Sequence, residues 1–222
     1  MKYLYIVLIL ICSNTVAQTS FERKIGEFDK IIIYNGIKVN FEKSNEDKVS
    51  ISGRYRQDLI VLQKNKTIKI KMKLKKIFNG AETKVTVYYT SLETLVAGQG
   101  SKVVFNNKIE QKNINLKARE GAQIIAAIDV SSLSIKCTTG AIVTLKGKAK
   151  HQENKLSTGG IYRASKLNSY HAQTTIWTGA VANVQVEQSL KTKIFLGGDI
   201  FIYSSPEQFK LNKILGGRVF FK

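Results

Sequence analysis

The chain has 222 residues, 43% of them hydrophobic, with a formal net charge of +19 and a single proline. A length of this order suits one all-β domain with a sizeable core, and the positive excess points to anionic partners: nucleic acid, lipid headgroups or acidic glycans. No P-loop, GxSxG, HExxH or CxxC pattern occurs, so nucleotide, serine-hydrolase, zinc-protease and redox functions have no support.

Residues 1–17, from MKYLYIVLIL to Ala17, read as a secretory signal peptide: Lys2, an apolar run from Tyr3 to Cys12, then small residues before the cut. The run is too short for a stable membrane anchor. Ile11 precedes Cys12 where lipid-modified precursors need a small residue, which argues against a lipoprotein. The expected location is therefore the periplasm or the surface of a Gram-negative bacterium. Export removes nucleic acid from the partners and leaves acidic polysaccharide or lipopolysaccharide. Cys137 is then the sole cysteine of the mature chain, without a disulfide partner.

Residues 18–95 read as irregular strands: KIIIYNGIKVNFEK, KVSISG, LIVLQKNKTIKIKMKLKK and TKVTVYYTSLETL, separated by NEDK, KNK and NGAE turns. No linker follows them, so they are expected to open the same body as the rest, giving one domain over 18–222. Within KTIKIKMKLKK, the period-2 pattern puts Ile68, Ile70, Met72 and Leu74 on one face, and Lys69, Lys71, Lys73 and Lys75 on the other. These lysines either join a cationic surface or protect a strand edge.

From residue 96 onward the chain repeats. Gly100, Gly121, Gly140, Gly159, Gly179, Gly198 and Gly217 follow one another at 21, 19, 19, 20, 19 and 19 residues, each before a β-rich run. Ala118, Cys137, Leu156, Ile176, Phe195 and Ile214 stand three before a glycine; Ile142, Ile161, Val181, Ile200 and Val219 stand two after. Val103 and Ile124 fall three after, which predicts an inserted residue or bulge in the first two units. Stacked strand and turn units of 19 to 21 residues predict a parallel β-helix or β-solenoid, right-handed by the rule for parallel crossovers. A β-sandwich is the alternative.

A leader, then FDKIIIYNGIKVNFEKSNEDKVSISG, a tract like LIVLQKNKTIKIKMKL and a series of glycine-marked repeats together resemble the head GIN domain family of auto-transporter adhesins, common in the Bacteroidetes. The resemblance covers essentially everything after the leader. It implies a β-helical envelope protein with an adhesive or structural role, no catalytic motif and no cofactor. GQGS at 98–101 is close to the family's Gly-Ser-Gly turn, whereas the later turns read EGA, TGA, TGG or GG.

The repeat register brings candidate site residues together. Four before the glycine stand Lys117, Lys136 and Lys155 in consecutive units, then Thr175, Ile194 and Lys213. Three like charges across neighbouring strands form either a ladder for an acidic polymer or a solvated face. His151 and His171, each eight before a glycine, are predicted neighbours and thus metal or pH candidates, in a column with Asn113, Ser132 and Leu190. Eleven before the glycine stand Glu110, Asp129, Lys148, Asn168 and Glu187; Glu110 and Asp129 as calcium ligands with Lys148 as base are the minimal cast of a polysaccharide lyase, but a column alternating in charge is more often a solvated face. Cys137 lies in an apolar column and reads as a buried hydrophobe. Trp177 is a packing residue or a platform for a sugar ring. The resulting expectation is an exported, non-enzymatic binding or structural module, with a carbohydrate-active enzyme as the alternative and self-association through solenoid ends such as GGRVFFK as a third reading.

Overall fold

The computed structural model describes residues 20–222; the leader and Cys12 lie outside them. The strands are β1 Phe21–Lys24, β2 Lys30–Ile33, β3 Lys38–Lys43, β4 Lys48–Gly53, β5 Leu59–Lys64, β6 Thr67–Met72, β7 Thr83–Tyr89, β8 Thr94–Ala97 and β9 Lys102–Phe105. They continue with β10 Ile109–Ala118, β11 Gln123–Thr138, β12 Ile142–Ser157, β13 Ile161–Trp177, β14 Val181–Phe195, β15 Asp199–Ile202, β16 Gln208–Ile214 and β17 Arg218–Phe221.

Successive coils pair in parallel, β10 on β11, β11 on β12, β12 on β13 and β13 on β14, at nearly constant register. The chain is a β-solenoid and not a sandwich. Along each coil side chains alternate inward and outward, and most of the inward ones are apolar and buried. In β11 these are Ile124, Ala126, Ile128 and Val130, then Leu133, Ile135 and Cys137 after a phase slip at Ser131. The ladder skips Ser131, so one extra residue rounds the corner there.

The opposite corner is a tight turn. Thr139 and Gly140 both have positive φ, 54° and 68°, and the Ala141 amide donates to the Thr138 carbonyl at 3.2 Å, the geometry of a type I′ turn. Such turns stack: the Gly121 amide donates to the Thr139 carbonyl and the Gly140 amide to the Thr158 carbonyl, each at 3.0 Å. A Cβ on Gly140 would meet nothing within 4 Å, so its backbone conformation alone calls for glycine. Gly140→Ala should lower stability by about 1 kcal/mol and Gly140→Asn by less, because Asn tolerates the left-handed region; urea unfolding of the two variants checks the order.

The turns correct the sequence register at both ends of the repeat. In the last two coils the left-handed pairs are Leu196–Gly197 and Leu215–Gly216, one residue earlier than Gly198 and Gly217. Phe195 and Ile214 therefore stack on Trp177, while Ile194 and Lys213 continue the column of Ala118, Cys137, Leu156 and Ile176. With Gly197 and Gly216 as markers, Val103, Ile124, Val143, Tyr162, Ala182, Ile200 and Val219 form one core-facing column three after the turn. The inserted residue expected in the first two units is absent. Ile142, Ile161 and Val181 are only half-buried, facing outward beside it.

The opening strands stack out of chain order. β2 lies between β6 and β8, and β3 between β7 and β9, all parallel. Residues 30–43 are thus a true coil, with a left-handed Asn35–Gly36 turn whose amide donates to the Gln99 carbonyl at 2.8 Å. β6 and β7 form the next coil outward. Beyond them β5 pairs antiparallel with β6, and β4 with β7, followed by β1 on β4. The predicted 66–76 strand stops at Met72: Leu74–Lys76 is a short 3-10 turn, Leu74 is 84% exposed, and Lys73 and Lys75 leave the strand face. β6 is paired on both sides, so its lysines guard no edge.

The core also carries polar side chains in β12 and β13. Gln152 Nε2 donates to Ser169 Oγ at 2.6 Å, Asn154 Nδ2 to Gln152 Oε1 at 2.9 Å and to Thr174 Oγ1 at 3.1 Å, and Tyr162 Oη to Gln152 Oε1 at 3.0 Å. Burial pushes the Tyr162 phenol far above its ordinary value. Tyr162→Phe should cost about 1 kcal/mol by withdrawing one donor from this network, which thermal unfolding would register as a lowered midpoint.

Candidate functional site: a lysine-lined face

The outward side chains beside the tight-turn corner form continuous rows because the register is fixed. Lys117 pairs with Lys136 and Lys136 with Lys155; all three are exposed and one strand spacing, about 4.8 Å, separates successive positions. Thr175, Lys193 and Asn212 follow. Lys193 thus takes the place assigned from sequence to Ile194, and Lys213 leaves the row for the core column. Counting four before Gly197 would have found Lys193.

The same row runs back through Val96 and Ile32 to Lys69. Two lysine groups that are far apart in sequence therefore share one line on the surface. Lys71 lies one row nearer the turn corner and is half-buried; Lys73, past the strand end, faces Asp58 at 3.5 Å. In the adjoining row Asn115, Ser134, Glu153, Gln173, Lys191 and Lys210 follow in register. Glu153 is the one carboxylate across these two rows from Thr94 to Asn212, and it pairs with Lys155 at 2.6 Å.

The other candidate columns are assembled with different outcomes. His151 and His171 stack with ring centroids 4.9 Å apart, and His171 Nδ1 lies 2.9 Å from Ser189 Oγ. Ser189, not Leu190, continues that column. The pair borders a shallow depression with Ser132, Glu153 and Lys191. Glu110, Asp129, Lys148 and Asn168 are in register, followed by Gln185 in place of Glu187, and Lys108 pairs with Glu110 at 2.5 Å. Among the described residues no three His, Cys, Asp or Glu side chains converge as a metal-binding group.

Cys137 is fully buried and its thiol donates to the Ala141 carbonyl at 3.1 Å. Burial pushes the thiol up to about 11, so it stays protonated and unreactive at neutral pH. Native mature protein, without residues 1–17, should resist alkylation by iodoacetamide at pH 8 and take up one equivalent after denaturation in urea, as mass spectrometry would show. Trp177 stacks on Phe195 with centroids 4.3 Å apart and remains 44% exposed.

The family profile described as "Putative auto-transporter adhesin, head GIN domain" matches residues 27–206. No curated protein matches the chain. A crystal structure of a "putative adhesin" from Bacteroides fragilis superposes with a TM-score of 0.84 at 18% identity, covering 92% of this chain and 96% of that one. A "Putative lipid binding protein" from Parabacteroides distasonis superposes with a TM-score of 0.67 at 16% identity, over 90% and 96% of the two chains. A "putative adhesin" from Parabacteroides merdae does so at 0.61 and 14%, over 90% and 95%. At these identities the likeness is one of fold.

Proposed function

We propose that this chain, which belongs to the head GIN domain family of auto-transporter adhesins, is an exported, non-catalytic module of the bacterial envelope that holds acidic polysaccharide or lipopolysaccharide against its lysine-lined face. The observation that carries the reading is the register of Lys117, Lys136 and Lys155 on adjacent coils. Their backbone positions repeat at about the strand spacing, along the direction in which a laid-down polymer would present its anions. Like charges so placed repel at rest, and a bound polyanion would relieve that repulsion while releasing its own counterions. Lys69 and Lys193 extend the line at either end. Adhesion of this kind needs no preformed pocket and gains its strength from many weak contacts acting together.

The test is binding to acidic and neutral polysaccharides and to lipopolysaccharide over a salt series, with a variant carrying Lys117→Gln, Lys136→Gln and Lys155→Gln. Three exposed charge contacts should be worth roughly a tenfold loss in affinity for the acidic ligands. The variant's melting temperature should hold, because relief of repulsion among three neighbouring charges offsets loss of the exposed Lys155–Glu153 pair. Binding of neutral and acidic glycans alike, or acidic binding indifferent to the variant, would refute the reading.

A further inference from the structure

The tight-turn corner is a ridge running the length of the solenoid, and its tip residues change character along it. The residue before each turn glycine, always in the left-handed region, is Asn35, Gln99, Glu120, Thr139, Thr158 and Thr178, then Leu196 and Leu215. Left-handed backbone disfavours a bulky side chain, and water disfavours an exposed leucine. Leu196 is 56% exposed and Leu215 74%. Beside them stand the stacked Trp177 and Phe195 and the exposed Ile214.

The other end of the ridge is apolar too. Between β6 and β7, residues 73–82 take the place of the tight turn and lie against Asn35 and Gly36, so closely that a Cβ on Gly80 would meet the Asn35 carbonyl at 1.8 Å. This segment presents Leu74, 84% exposed, and Phe78, 92% exposed. Lys73, Lys75 and Lys76 flank these two side chains in sequence. At the far end Lys191, Lys193 and Lys210 lie in the rows next to the Trp177 stack.

We propose that this ridge is a lipid-contact surface: Leu74 and Phe78 at one end, and Leu196, Leu215 and Trp177 at the other, enter the interface of an anionic bilayer whose headgroups pair with the neighbouring lysines. Apolar side chains ringed by lysine are the chemistry by which peripheral proteins hold an anionic membrane surface. The charge decides the occupant. A second copy would bring the same lysines against one another, whereas anionic headgroups complement them. Two apolar tips on one edge lay the solenoid along the membrane and leave its ladder face free at the side. This surface meets the end of the polysaccharide ladder at Lys193, but its apolar contacts lie on the ridge and do not depend on Lys117, Lys136 or Lys155.

Trp177 is the only tryptophan of the chain, so its emission reports the C-terminal tip directly. Mature protein is mixed with vesicles of phosphatidylethanolamine and phosphatidylglycerol, or of phosphatidylcholine alone, and read by fluorescence and flotation. The expected result is a blue shift and flotation with the anionic vesicles, weakened by salt. Leu196→Asn with Leu215→Asn should lower partitioning roughly a hundredfold with no loss of melting temperature, since Asn suits left-handed backbone. Leu74→Ser with Phe78→Ser, in an exposed segment, should lower it by a similar factor without altering the fold. The Lys117, Lys136, Lys155→Gln variant should float nearly as well as the parent, which separates this surface from the ladder. Absence of a blue shift with anionic vesicles overturns the proposal, as does partitioning unaffected by either apolar pair. Self-association seen by sedimentation and abolished by the leucine substitutions would also overturn it, by showing the ridge to be covered by a second copy.

Discussion

The inter-coil hydrogen-bond ladder is the constraint on which every surface of this protein depends. A parallel ladder has no freedom of register once the core side chains are committed, because a slip of one residue turns every inward side chain outward. Between β11 and β12 that commitment runs unbroken from Gln123 to Thr138 apart from one corner residue. The turn amides add to it, each donating to the next coil's turn carbonyl, as Gly121 does to Thr139. Surface chemistry is then copied along straight rows. A lysine at one position of the repeat becomes a line of charge when the repeat is kept, and an apolar tip becomes one end of a ridge when it is not.

The regular coils were legible because their marker is nearly invariant for a physical reason: a turn with two positive φ values needs glycine in its second place. Ambiguity entered where two glycines stood side by side. Gly197 and Gly198 both satisfy the pattern, and only the identity of the inward column, Ile176 over Ile194, decides between them. The one-residue shift to Gly197 moved Lys193 into the ladder, and the same shift to Gly216 moved Lys213 out of it. The out-of-order stacking of the opening coil left no periodic trace for another reason. Asn35 and Gln99 are neighbours in space, with Asn35 Nδ2 donating to Gln99 Oε1 at 2.7 Å, but 64 residues apart in the chain, so no fixed period reaches from one to the other. The likeness of KIIIYNGIKVNF to TLVAGQGSKVVF was the available signal.

Composition also concealed part of the core. Gln152, Asn154, Ser169 and Thr174 are buried, at places where a binary pattern predicts solvent-facing residues. They are affordable inside because they bond one another within and across coils, Asn154 donating to Gln152 on its own strand and to Thr174 on the next, and Gln152 to Ser169. Side chains stacked in register can form hydrogen-bonded chains that isolated buried amides cannot. The same stacking makes a pair of the two histidines, which the repeat spacing foretold.

The two ends of the solenoid meet the open-edge problem in different ways. At the amino-terminal end antiparallel strands cover the last parallel coil: β5 lies on β6, and β4 with β1 on β7. At the other end no described strand lies beyond β16 and β17, and Leu211 and Phe221 are exposed there. Lys213 stands in the core column above Ile194, its ammonium donating to the Gly217 carbonyl at 3.3 Å. A charge placed where the next coil's core would have to form discourages both further stacking and pairing of edges. The exposed apolar side chains of the Trp177 corner lie outside that column, on the ridge.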